Sequence, residues 1–117
     1  MSEKETLEDG LEDKMLPYVR LWTRVVSGAV QDTCARPDEY APGQFRLTAD
    51  ARYAMDWLFD APVGGFILEL LGIDPGSFEK RLARAMLAGT DTLFTRMLPN
   101  EKRQYFKINY ALWCAGM

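Results

Sequence analysis

Residues 71–82 read Leu71-Gly72-Ile73-Asp74-Pro75-Gly76-Ser77-Phe78-Glu79-Lys80-Arg81-Leu82. The run before them, Val63–Leu71, is very apolar and fits a buried strand or a helix equally well. The residues from Gly72 onward decide for the helix. Gly72 is the residue type that ends a helix in the left-handed conformation. Asp74 is a good N-cap, and Pro75 suits the first helical position. A helix over 75–88 then places Phe78, Leu82, Ala85 and Met86 on one face and stops at Gly89. Two helices joined by a tight glycine turn make a helix-turn-helix corner. Ile67, Leu71, Ile73, Phe78 and Leu82 stand where its packing requires apolar side chains.

Outward from that corner the pattern stays helical. From Met15 to Thr33 the apolar residues Met15, Val19, Trp22, Val26, Ala29 and Val30 share one side, and Gly28 predicts a close approach of another helix. Residues 36–48, punctuated by Pro37, Pro42 and Gly43, read as an irregular connection pinned by Tyr40 and Phe45. Thr48 caps a helix over 49–59 that buries Ala51, Ala54, Met55 and Leu58. Gly64-Gly65 reads as a flexible helix entry. A short helix restarts at Thr90 or Asp91 and carries Leu93, Phe94, Met97 and Leu98. Asn100 caps a last helix to about Cys114. The fold class expected is all-α: a compact bundle of about five helices, with no strand and no internal repeat. It forms a single domain over residues 13–117 behind an acidic leader, residues 1–12.

Composition narrows the chemistry. The chain has 117 residues, enough for one domain. It contains no histidine, which removes the usual general base and the commonest metal ligand. Two cysteines, Cys34 and Cys114, are too few for a disulfide framework or a four-thiolate zinc site. Ser27 and Ser77 have no histidine to activate them. Gly64-Gly65 lacks the Lys-Ser/Thr of a phosphate loop. Asp56 and Asp60 lie one helical turn apart, as on a solvated face. Glu69, inside the most apolar run, sits on an exposed edge, pairs with an arginine, or is a buried carboxylate. No catalytic residue, metal or cofactor is expected. No apolar run approaches a membrane span, and a cytoplasmic protein with reduced thiols is the default.

The net charge of −3 hides a split. Residues 1–14 hold six acids and two lysines, net −4, whereas the remaining residues hold 11 acids and 12 bases, net +1. The leader serves solubility or competes with nucleic acid for a basic face. That face is on the corner's second helix, where Ser77, Lys80, Arg81 and Arg84 share one side. Lysine and arginine there suit phosphates, and Arg81 or Arg84 suits guanine edges. A second candidate surface is aromatic. The chain holds 14 Phe, Tyr and Trp residues, and Tyr105, Phe106, Tyr110 and Trp113 on the last helix are candidates for a protein interface or homodimer contact.

Two resemblances bear on function. Residues 71–82 resemble the helix-turn-helix of response-regulator output domains and of sigma-factor region 4, which run Leu-Gly-Ile/Leu, a capping residue, often Pro, then Val/Phe and a final Leu. Leu68 departs from that pattern, which commonly has a small residue there, and Gly76 is unusual early in the second helix. More broadly, Leu21-Trp22, Val25-Val26, Ala51-Arg52, Trp57-Leu58-Phe59 and Phe66–Pro75 resemble small helical proteins encoded by phages and prophages. That resemblance implies a mobile-element accessory protein and carries over no catalytic residue. The expected function is therefore one of two: a non-enzymatic regulator binding DNA through the helix-turn-helix, or a helical module that inhibits a host or defence protein.

Overall fold

The computed structural model describes residues 16–116. Five α-helices and one small hairpin are arranged in the order α1 (Pro17–Thr33), β1 (Asp38–Ala41), β2 (Gln44–Arg46), α2 (Ala49–Met55), a π-helical turn (Asp56–Asp60), α3 (Pro62–Leu70), α4 (Pro75–Ala88) and α5 (Asn100–Cys114). The architecture is mostly α, as the hydrophobic periodicity requires. Its core gathers Val26 and Val30 of α1, Met55, Leu58, Ile67 and Leu68, Phe78, Leu82, Ala83 and Met86 of α4, and Phe106 of α5.

Cap chemistry sets the helix ends. Pro17 opens α1 and Pro62 opens α3 at first-turn positions, where the missing N–H costs nothing. The Thr48 hydroxyl accepts from the Ala51 amide at 3.2 Å, and the Asp74 carboxylate accepts from the Gly76 amide at 3.3 Å. α3 and α4 both end in the same backbone motif. After α3, Gly72 (φ +76°) donates to the Glu69 carbonyl and Ile73 to the Leu68 carbonyl. After α4, Gly89 (φ +71°) donates to Met86 and Thr90 to Ala85. Each pair is the double bond of a Schellman cap, which satisfies two orphan carbonyls and turns the chain sharply.

Several expectations are corrected. Residues 38–46 form an antiparallel hairpin, not an irregular connection. It is too short to show period-2 alternation. Tyr40 is exposed, under the Arg46 guanidinium at 4.6 Å, and Pro37 and Leu47 are the buried residues at the hairpin's two ends. Residues 93–97 are turns, because Thr95 spends its side chain on Thr90 and Thr92. Pro99, not Asn100, holds the N-cap position of α5 and makes no side-chain cap bond. The helix from Ala49 ends at Met55 and widens into the π-helical turn, closed by the Ala61 amide on the Asp56 carbonyl at 2.7 Å. Gly28 is exposed, and a Cβ there would meet nothing within 4 Å, so no helix approaches it. Gly64 is where the close approach occurs. The acidic leader and Met15 lie outside the described residues.

Candidate binding site at the helix corner

The corner lies between α3 and α4. The four residues 71–74 connect them, with Gly72 in the left-handed region and Ile73 half-buried against the core. α3 turns Gly64, Ile67 and Leu68 inward and leaves Val63, Phe66 and Leu70 exposed along one stripe. α4 buries Phe78, Leu82, Ala83, Ala85 and Met86. Its outward face carries Lys80, Arg81, Arg84 and Leu87, all exposed, with Ser77 half-buried beside them. The Ser77 hydroxyl is within 3.4 Å of the Asp74 carbonyl, to which it donates. The structure thus places Lys80, Arg81 and Arg84 together in solvent and ties Ser77 back into the helix start.

A groove of about 280 Å³ opens beside this face. Gly72, Ile73, Phe78, Leu82, Leu93 and Phe94 give it apolar walls, and Thr92 adds a hydroxyl. Among the described residues, Arg81 is the one charged side chain lining it. The Phe78 and Phe94 rings meet edge to face at 6.0 Å across its floor. One wall is therefore the corner and the other is the 90–98 segment.

That segment is held by Arg103, a residue whose role the sequence pattern did not announce. Arg103 is 7% exposed. Its Nε donates to Leu98 O, Nη1 to Ala85 O and Thr90 O, and Nη2 to Thr95 O and the Asp91 carboxylate, at 2.9–3.3 Å. Thr95, wholly buried, ties the same turn from inside: its hydroxyl donates to Thr90 O and accepts the Thr92 amide. A five-donor guanidinium fits this job because its fork is rigid and its charge strengthens each bond to a carbonyl. Arg103 lies three residues before Phe106, on the same inward stripe as Tyr110 and Trp113. That spacing was the available signal.

Three aromatic residues of α5, Phe106, Tyr110 and Trp113, pack in or against the core. Phe106 is wholly buried and offers no surface to a partner. It stacks on Tyr110 at 5.4 Å, and Tyr110 stacks on Trp113 at 6.3 Å. Phe59 meets Tyr110 and Trp113 edge-on at 6.0 and 5.5 Å. The polar ends are satisfied: Tyr110 donates to Glu79, and Trp113 Nε1 donates to Asp56 at 2.8 Å. Tyr105, half-buried, donates to Glu101 one turn away. Tyr110, Phe106 and Trp113 therefore close the core between α4, α5 and the π-helical turn.

Burial, with help from the Glu79 hydrogen bond, pushes the Tyr110 hydroxyl above its ordinary pKa of 10.0. The unfolded chain ionises this tyrosine first, so its contribution to stability is complete below pH 10 and drains away as pH rises beyond it. The urea midpoint is expected to fall above pH 10, and Tyr110→Phe removes part of that slope.

The two cysteines differ. Cys34 is wholly buried and burial raises its pKa, whereas Cys114 is exposed. Both are free thiols. A thiol reagent at pH 8 is expected to label one thiol per native chain at Cys114, and two after unfolding in urea. Equal rates for both in the native chain would refute the buried placement of Cys34. Glu69 is exposed, as are Asp56 and Asp60. Among the described residues no cluster of three Cys, Asp or Glu side chains is placed to hold a metal ion, and no helix is long and apolar enough to cross a membrane.

Compared with family models, with curated proteins and with solved structures, the chain matches none.

Proposed function

We propose that this protein is a non-enzymatic binding module whose corner groove takes an acidic, amphipathic segment of a partner protein. The observation that carries this is the position of Arg81, an exposed cation on the wall of an otherwise apolar groove. Such a site rewards an apolar side chain with a carboxylate beside it. Burial contributes about 25 cal/mol per Å² of apolar surface, and the cation adds orientation and steering. Lys80 and Arg84, on the same helix face, extend the attraction. The resemblance to phage-encoded accessory proteins points to a host or defence protein as that partner, and the lack of histidine favours binding over catalysis.

The DNA-binding reading has its own support: Lys80, Arg81 and Arg84 are exposed on the second helix of a glycine-turn corner. Two features weigh on the other side. Between Arg52 and Lys80 there is no lysine or arginine, while Asp56, Asp60, Glu69, Asp74 and Glu79 fall in that stretch. A duplex needs cations along its backbone. The 92–94 segment also packs on the flank of α4 beside Arg81, where a recognition helix must stand clear to enter a major groove.

A paired measurement separates the two. Cell lysate is passed over the immobilised protein and over an Arg81→Glu, Arg84→Glu variant, and both are run against mixed-sequence duplex DNA in low-salt gel shifts. Protein binding predicts a partner retained by the wild type and lost by the variant, with no DNA retardation. Retardation of DNA by the wild type that disappears in the same variant supports the DNA reading instead. The exposed Phe66 gives a control. Phe66→Asp leaves capture through the Arg81 groove within about twofold, because Phe66 is absent from its lining.

A further inference from the structure

The groove's chemistry has a match in the chain's own sequence. Residues 7–13 read Leu7-Glu8-Asp9-Gly10-Leu11-Glu12-Asp13, two copies of Leu-Glu-Asp separated by one glycine. Each copy is an apolar side chain followed by two carboxylates. The groove asks for the same pair: five large apolar lining residues, Ile73, Phe78, Leu82, Leu93 and Phe94, and one guanidinium, Arg81. Its volume of about 280 Å³ admits a leucine side chain.

We infer that the Leu-Glu-Asp segment at residues 7–13 is an intramolecular occupant of the Arg81 groove, so that the leader competes with the partner for the same site. Charge complementarity carries the assignment. Residues 1–14 hold net charge −4, and Lys80, Arg81 and Arg84 are the three cations in sequence nearest the groove on its α4 side. Among the described residues, no carboxylate lines the groove. Leu7 lies nine positions before Leu16, where the described chain begins, and nine extended residues give the leader a reach of about 30 Å. The duplication gives two interchangeable anchors for one groove, which raises the local concentration of a binding-competent leucine without any added contact.

This inference rests on the proposed binding reading of the groove, but its test is separate. Full-length wild type, Leu7→Asp with Leu11→Asp, Arg81→Glu, and the combination of all three are compared by two-dimensional amide NMR at low salt, with melting temperatures as the folding control. The expected result is that the leader substitutions shift the signals of Gly72, Ile73, Thr92, Leu93 and Phe94. In the Arg81→Glu background the same leader substitutions shift none of them further. Raising salt from about 50 mM to about 500 mM moves the wild-type signals toward those of the leader variant, since exposed charges are then screened within about 4–5 Å.

Groove signals that are identical in the wild type and the leader variant overturn the inference. Shifts that appear only as protein concentration rises also overturn it, because the occupant is then the leader of a second copy. Shifts of equal size with and without Arg81 overturn the pairing of the leader with this groove. Partner capture in the lysate experiment that is unaffected by Leu7→Asp, Leu11→Asp, together with unshifted groove signals, leaves the proposed function standing and removes only the self-masking.

Discussion

Replacing Arg103 with alanine is expected to lower unfolding stability by about 3 kcal/mol, measured by urea titration, and the melting temperature by about 10 °C or more. The size reflects where its bonds go. The guanidinium is 7% exposed and donates to the carbonyls of Ala85, Thr90, Thr95 and Leu98. The Ala85, Thr90 and Thr95 carbonyls keep the Thr90 amide, the Thr95 hydroxyl and the Leu98 amide as donors, so the loss is that of the charge-assisted bonds, together with the Leu98 carbonyl left without its Arg103 donor. Its ion pair with Asp91 is a lesser part, since the Asp91 side chain is 73% exposed and water screens the charge. Asp91→Ala is therefore expected to cost under about 0.5 kcal/mol. Arg103→Lys recovers only a minority of the loss, because one ammonium cannot reach carbonyls spread over four residues as a planar fork does. If Asp91→Ala costs as much as Arg103→Ala, the ion pair and not the carbonyl clamp holds the segment. The clamp also bears on function, since residues 92–94 form one wall of the groove. Arg103→Lys should raise amide exchange across 90–98 and weaken partner capture while α4 keeps its protection.

What was legible in the sequence was what local chemistry dictates. Gly72, Asp74, Pro75 and Gly89 mark their helix ends without reference to anything distant, and the structure has those ends at those residues. Thr48 is the same case. The hairpin was not legible because its strands, four and three residues long, are too short for a pattern and carry exposed tyrosine and arginine. The 90–98 segment carries helix-compatible apolar spacing, yet the Thr92–Thr95 side-chain bonds and Arg103 hold it in turns, and Met97 takes a φ of +62° that a helix forbids.

The candidate site was half legible. Lys80, Arg81 and Arg84 could be placed on one face by counting along α4. The groove could not, because its second wall comes from Leu93 and Phe94, whose placement depends on a buried arginine in another helix. The aromatic residues of α5 invited a surface reading from their number alone. Their stripe, 103, 106, 110 and 113, also includes Arg103, the one buried charged residue among the described residues. A cation at core spacing among aromatics was the sign that this face turns inward and that some set of carbonyls waits for it.

The adjacent glycines 64 and 65 give the sharpest contrast available in this fold. Gly64→Ala is expected to destabilise by about 3 kcal/mol or more, and Gly65→Ala to be neutral or to stabilise by a few tenths up to about 1 kcal/mol. A Cβ on Gly64 would lie 1.8 Å from the Trp57 carbonyl oxygen, whereas a Cβ on Gly65 would lie 3.6 Å from the Pro75 ring, an ordinary contact. The reason lies in the preceding turn. The π-helical turn closes with the Ala61 amide on the Asp56 carbonyl. The next bond in that series would run from residue 62 to the Trp57 carbonyl, but Pro62 has no N–H to give. The turn must end there, α3 folds back at once, and its first turn passes over the Trp57 carbonyl so closely that only a residue without a side chain fits. Neither backbone can yield cheaply, since Met55 and Leu58 before the crossing and Ile67 and Leu68 after it are all in the core. Gly65 faces the start of α4 instead, and an added methyl there replaces a helix-weakening glycine. Urea titrations of the two single variants decide the matter. Equal losses would mean that both glycines serve as a flexible entry to α3, and that the close crossing at Trp57 is not what the residue at 64 is for.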